Sequence, residues 1–351
     1  MNSKASNSVM TRARAKYGSR LKPEDYGALA GLSNLGEVVT FLRTRTHFAP
    51  YFEKLATDHA LSRAKLEHTL KNAFFAEAQR LCGFEKSVGE SIFKYIAVTR
   101  ETELILDYII NLSLGTPEKM IFKLPEKFNC GTKIDFSKLF QIRRATELSK
   151  YISKTGYAKL CSVLPAKDGG EFDISLIETT LGKIKNSLVL DELNRVFPAE
   201  TAKILSHGIL MRAELYDINV IYRAKKYYRL SENYIRTNMV GSRCLLPQKT
   251  FDKILASKTS EEALKILKAS RYASKIEKYG IDDFEIFIRK AVIDEEIKQI
   301  HFSAEPAVVL SSYLRIFETE CDNLIRIIEG ISYKISKEEI LKNLIMIEKG
   351  E

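Results

Sequence analysis

Three stretches of this chain carry ingredients of a reaction or binding site. Gly31-Leu-Ser-Asn-Leu-Gly36 has the glycine spacing of a phosphate-binding loop. Such a loop needs Lys and then Ser or Thr next, to reach the β- and γ-phosphates and to hold Mg²⁺. Glu37 and Val38 stand there instead, so a turn between helices is expected. Asp168-Gly-Gly-Glu-Phe-Asp173 gathers three carboxylates, the raw material of Ca²⁺ binding or acid–base work. The alternating ligand spacing is missing, and Asp173 reads as a helix N-cap. The third stretch, Tyr222-Arg223-Ala-Lys225-Lys226-Tyr227-Tyr228-Arg229, mixes cations for phosphates with rings for bases. On a helix those groups point all around the axis, and cations also suit a helix C-terminus. Arg12-Ala-Arg14-Ala-Lys16-Tyr17 resembles it, as a repeated structural element would.

Elsewhere the chemistry is thinner. His47, His59, His68, His207 and His301 form no HxxxH or HExxH, and none lies at ligand spacing from a cysteine. No Ser/His/Asp or Cys/His arrangement stands out. The expectation is a chain with no catalytic residue, no cofactor and no metal. Cys82, Cys130, Cys161, Cys244 and Cys321 are scattered and never form CxxC, which reads as isolated thiols in a reducing compartment.

The elements that would hold any site read as helices. In 351 residues, 45% are hydrophobic, with 17 Gly, 8 Pro and no Trp, the balance of a helix-rich globular chain. The net charge of +10 is spread among interleaved acids, as on a solvated surface that favours anionic partners. The richest apolar run, Leu104–Leu114, is short and contains Asp107, so no bilayer span is expected. Met1–Ser8 is polar, and the expectation is a soluble, cytoplasmic protein with no long leading helix.

Apolar periodicity predicts a helix over Phe52–Leu81 stopped by Gly83, and a second, capped by Ser87 with Glu90, running to Leu114. The two are expected to pair antiparallel. Further helices are expected over Asp135–Tyr157, Ile174–Phe197, Ala199–Tyr228, Glu261–Lys268 and Asp282–His301. Another spans Glu305–Glu329, ended by Gly330, and Ser336 with Glu339 caps a last short one.

A faint repeat organises these helices. Copies run Tyr26-Leu29…Leu42…Phe48, Phe136-Leu139…Ile152…Tyr157 and Phe251-Ile254…Leu267…Tyr272. Acid- and Asn-bearing segments accompany them: Glu103-x3-Asp107-x3-Asn111, Glu214-x2-Asp217-x-Asn219-x3-Arg223 and Glu320-x-Asp322-Asn323-x2-Arg326. The last segment has no block after it and the first block no full segment before it, so the C-terminal helix is expected beside the N-terminal one. A chain that repeats a packing unit builds a shape rather than one active site.

The pattern resembles a known family, the C-type subunits of bacterial and archaeal V-type (A-type) ATPases, related to the d-type subunit of the eukaryotic V-ATPase. The resemblance rests on Arg212-Ala-Glu214-Leu-Tyr-Asp217-Ile-Asn219-Val-Ile-Tyr-Arg223-Ala-Lys225-Lys226, on Ser260-Glu-Glu-Ala-Leu264 to Tyr272, and on Glu318-x-Glu320-x2-Asn323-Leu-Ile-Arg326-Ile-Ile-Glu-Gly330. It implies an all-α funnel of three similar bundles with pseudo-threefold symmetry: residues 1–100 with 318–351, then 101–211, then 212–317. It also implies a non-catalytic central-stalk subunit on the cytoplasmic face of the membrane. Its implied partners are the D- and F-type shaft subunits and the proteolipid rotor ring, with no nucleic acid. Glu214, Asp217, Asn219, Arg223, Lys225, Glu320, Asn323 and Arg326 are then the motif residues, structural or interfacial. The alternative is a basic all-helical nucleic-acid-binding adaptor.

Overall fold

The computed structural model describes residues 3–53, 55, 61–84, 86–118, 132–228 and 230–347, with side chains undescribed at 3–6 and 86–88. His59, Cys130 and Arg229 lie outside the described residues. Helix makes up 74% of the chain and the described residues hold no strand, so the fold is all-α. The chain divides into two compact units, residues 1–92 with 278–351 and residues 93–277.

The first unit is built on one long helix. It contains α1 (Ser3–Gly18), α2 (Pro23–Leu29), α3 (Leu35–Arg45), α4 (Ala49–Phe52) and α5 (Arg63–Cys82). The start of α6 (Lys86–Ser113) also belongs to it. From the C-terminal part it takes α15 (Phe284–Phe302), α16 (Pro306–Ser332) and α17 (Lys337–Lys342). Every residue from Ala307 to Phe317 is buried, an all-round burial that only a central helix can have. Helices α1, α3, α5, α15 and α17 pack on α16.

The second unit holds the rest of α6, then α7 (Phe136–Leu139), α8 (Ala145–Ile152), α9 (Ile174–Val196) and α10 (Ala199–Arg223). It continues with α11 (Glu232–Thr237), α12 (Gln248–Ala256), α13 (Ser260–Lys268) and most of α14 (Ala273–Tyr279). One of its cores joins Leu104, Tyr108, Leu139, Ile152, Tyr157, Leu160 and Ile177, from α6 through α9.

Several expectations are corrected. Residues 3–18 do form a leading helix, with Val9, Ala13 and Tyr17 buried four residues apart on one face. The helix expected over Phe52–Leu81 is split: α4 ends at Phe52, and α5 starts at Arg63 behind Ser62, whose hydroxyl caps the Lys65 amide. Gly83 does sit at its C-cap, and α5 packs along α16. Helix α6 begins at Lys86, ahead of the cap expected at Ser87. Helix α10 ends at Arg223, and Ala224–Tyr228 winds into a π-helical turn. Gly330 does not stop α16, which runs on to Ser332. A Cβ there would lie 2.5 Å from Ile340 Cγ1, so the glycine serves the approach of α17.

Candidate functional site

The three repeat copies form the same local structure. All twelve of their marker positions, from Tyr26 to Tyr272, are buried. Each fully buried aliphatic adds about 1.5–3 kcal/mol of apolar transfer. Eleven residues after each opening aromatic comes a glutamate, and its carboxylate accepts the backbone N–H four residues earlier. The pairs are Ser33 to Glu37 (2.8 Å), Arg143 to Glu147 (3.5 Å) and Lys258 to Glu262 (2.8 Å). Free N–H groups at a helix start need such acceptors. Asn34, the N-cap of α3, also accepts from Glu37, so the glycine-spaced stretch is the turn from α2 to α3. Just before each closing aromatic, Thr46, Thr155 or Ser270 accepts that aromatic's amide.

The motif acids hold these blocks to the long helices. Glu214 on α10 is fully buried. Its carboxylate accepts the amides of Cys244 (2.9 Å), Leu245 (2.9 Å) and Leu246 (3.2 Å) and the hydroxyl of Tyr272 (2.7 Å). One turn on, the buried Asp217 accepts Val240 (2.6 Å), Gly241 (2.8 Å) and Arg243 (3.3 Å). Burial raises its pKa, against the pull of those two amides and the Arg243 charge. Residues 239–247 lack regular structure, so their N–H groups need outside acceptors, and the two acids provide them. Gly241 has φ +87°, a conformation open to glycine.

Glu320 on α16 repeats the arrangement. It accepts the amide of Leu21 (2.6 Å), five residues before Tyr26, as Leu246 stands five before Phe251. His47 Nε2 lies 3.5 Å from its other oxygen, beside the closing Phe48. Asn323 exchanges two hydrogen bonds with the backbone of Ile345. Burial, reinforced by the Glu320 charge, pushes the Tyr26 pKa well up, while its hydrogen bond with Asn323 works the other way.

Other motif residues are placed differently. Lys225 donates to the carbonyls of Leu255 (2.8 Å) and Ser257, ending α12, and burial lowers its pKa. Arg326 reaches Glu285 at 3.5 Å. Asn219 is half-buried and stands outside both networks, and Arg223 is exposed. Among the described residues of α6 the buried polar ones are Ser91, Glu101 and Thr102, whereas Glu103 is exposed and paired with Arg100. The Thr102 hydroxyl lies 3.1 Å from Tyr157 OH, where the third copy has Glu214 against Tyr272. Thr102, Tyr157, Tyr272 and His47 escaped the sequence reading as polar partners. The signal for them was the common spacing of the closing aromatics.

The remaining candidates resolve into structure. Asp168 accepts the amide and hydroxyl of Thr146 at the start of α8, which lowers its pKa, and Asp173 caps α9 through Leu176. Among the described residues no group of three His, Cys, Asp or Glu is placed to hold a metal. Arg14 in α1 caps the end of α15 through the carbonyls of Ile300 (2.9 Å) and Ser303 (2.7 Å), and Lys16 pairs with the buried Glu77 (2.8 Å). Tyr227 and Tyr228 of the basic run are exposed. One arrangement not visible in sequence does form: Cys244 Sγ lies 3.5 Å from His207 Nδ1.

The geometry is therefore that of carboxylates consumed by internal donors, in three copies of one helical block. Among the described residues no helix is long and apolar enough to cross a membrane. No curated protein matches the chain. The sequence model described as ATP synthase (C/AC39) subunit matches residues 9–343, nearly the whole chain, which therefore belongs to that family of V/A-type ATPase subunits.

Proposed function

We propose that this chain is a non-catalytic central-stalk subunit that couples the rotating shaft of a V/A-type ATPase to its membrane proteolipid ring. The observation that carries the reading is the family match over residues 9–343. The buried junctions support it. Glu214, Asp217 and Glu320 spend their acceptors on the chain's own amides and side chains, which suits stiffening rather than turnover. Packed helices resist compression, as torque transmission requires.

In this reading the repeat blocks close three helical units, 1–100 with 318–351, 101–211 and 212–317, into a pseudo-threefold funnel. The funnel would seat the foot of the D- and F-type shaft subunits and rest on the ring, peripheral to the membrane on its cytoplasmic face. ATP hydrolysis or synthesis in the soluble head would thereby be linked to H⁺ or Na⁺ movement. The test is removal of this chain from the assembled complex. ATP hydrolysis by the head is expected to continue while ion transport into vesicles stops, with recovery on adding the chain back. Transport that persists without it, or failure to co-purify stoichiometrically with shaft and ring, overturns the reading.

A further inference from the structure

We infer that Cys244, paired with His207, is a thiol–disulfide exchange site through which small-molecule disulfides reach the Glu214 junction. Four cysteines are described, and they are not equivalent. Cys82 and Cys321 are buried. Burial pushes the Cys82 thiol up to about 12 and Cys321 well above its usual value, and both effects suppress the reactive thiolate. Cys161 is half-buried, and its thiol donates to the carbonyl of Ser149 at 3.3 Å. Cys244 is half-buried and has a base at hand, with Sγ 3.5 Å from His207 Nδ1 and 3.6 Å from the carbonyl oxygen of the same residue.

The charged surroundings allow the pair to work. His207 faces the sulfur from α10. Glu214, also on α10, would oppose a thiolate, but its carboxylate is occupied by three amides and the Tyr272 hydroxyl. In the reaction the thiol proton passes to His207. The thiolate attacks one sulfur of a low-molecular-weight disulfide, a mixed disulfide forms at Cys244, and the other half leaves as thiolate. No net oxidant beyond that disulfide is needed.

The position gives the modification a consequence. The amide of Cys244 is itself one of the donors to Glu214, and the next two amides are the others. A bulky adduct on this side chain displaces the loop that the carboxylate holds. The site is independent of the rotor reading and is tested on the full chain alone.

The reduced protein is treated with 5,5′-dithiobis(2-nitrobenzoate), and labelling at each cysteine is followed by quenched mass spectrometry. Cys244 is expected to react faster than Cys161, Cys82 and Cys321. His207→Gln, near-isosteric and unable to act as base, should slow labelling at Cys244 about three- to fourfold. The thiolate lost with the base outweighs the nucleophilicity gained, because nucleophilicity rises by only about 0.4–0.5 of the thiol basicity on a logarithmic scale. Labelling of Cys161 should not change. His207→Asn provides a second variant, and unchanged helical circular dichroism shows that each folds. Cys244→Ser should abolish the fast phase, and the adduct should speed hydrogen exchange in residues 240–246. A Cys244 rate unaltered by both His207 variants, or slower than that of Cys161, overturns the inference.

Discussion

Replacing Tyr272 by Phe removes one oxygen and leaves the ring, so its cost isolates one hydrogen bond. That bond is 2.7 Å long and joins a fully buried hydroxyl to the fully buried Glu214 carboxylate. Hydrogen bonds to charged groups contribute about 1.5–3 kcal/mol, and neutral ones about 0.5–1.5 kcal/mol. Tyr157 supplies the control, since it is equally buried but meets the neutral hydroxyl of Thr102. Tyr272→Phe should therefore cost about 2 kcal/mol and Tyr157→Phe about 1 kcal/mol. In local opening equilibria these are factors of about 30 and about 5. Burial and the Glu214 charge raise the Tyr272 pKa above its usual 10.0, so the contribution is present below that pH and lost as pH rises above it. Hydrogen exchange between pH 6 and 8 reads the effect at the amides of Leu245 and Leu246 for one variant and at Gly156 for the other. Equal losses of protection, or a change at Leu245 and Leu246 below about threefold, would refute the charge-assisted junction.

Three further outcomes follow from the same packing. Burial alone would raise the pKa of Glu77, but hydrogen bonds from Lys16 and Tyr51, the Lys16 charge and Arg80 outweigh it and hold the carboxyl below its usual 4.5. Its contribution is thus present above that pH and lost below it, so the melting difference between wild type and Glu77→Gln should shrink from pH 7 to pH 3; a constant difference contradicts this. Gly330→Ala should destabilise by about 1–3 kcal/mol through the clash with Ile340, although alanine normally favours a helix, and Ile340→Ala should restore part of it in thermal melts. Lys225→Met should fray the end of α12 at a cost of about 1 kcal/mol, seen as faster exchange near Ser257, with Lys225→Arg milder.

Much of the fold was legible because it is local. Asp173, Thr259 and Ser336 cap the helices that follow them, each through a side-chain oxygen and an amide three residues on. The positions where the reading slipped depend on distant chain. Gly330 looks like a stop by composition, and only Ile340 reveals it as a contact. Glu103 fits the acid pattern, but α6 buries Glu101 and Thr102 instead, because the face turned to the core is set by what packs there. Leucines at helical spacing carried the expected helix through Phe52–Leu81, yet Ser62 and Pro50 impose separate starts on α5 and α4.

The amino-acid order alone determined the repeat and the all-α class, since both are written in apolar spacing and caps that act within a few residues, while the family resemblance rested on motif residues such as Glu214, Asp217 and Glu320. Tertiary structure decided what the motif acids do. A buried carboxylate is tolerable only where donors converge on it, and those of Glu214 and Glu320 come from amides about 30 and 299 residues away. No periodicity in the sequence encodes a meeting of that range. Packing of the helices brings it about, as it does for His207 and Cys244, 37 residues apart and 3.5 Å from each other.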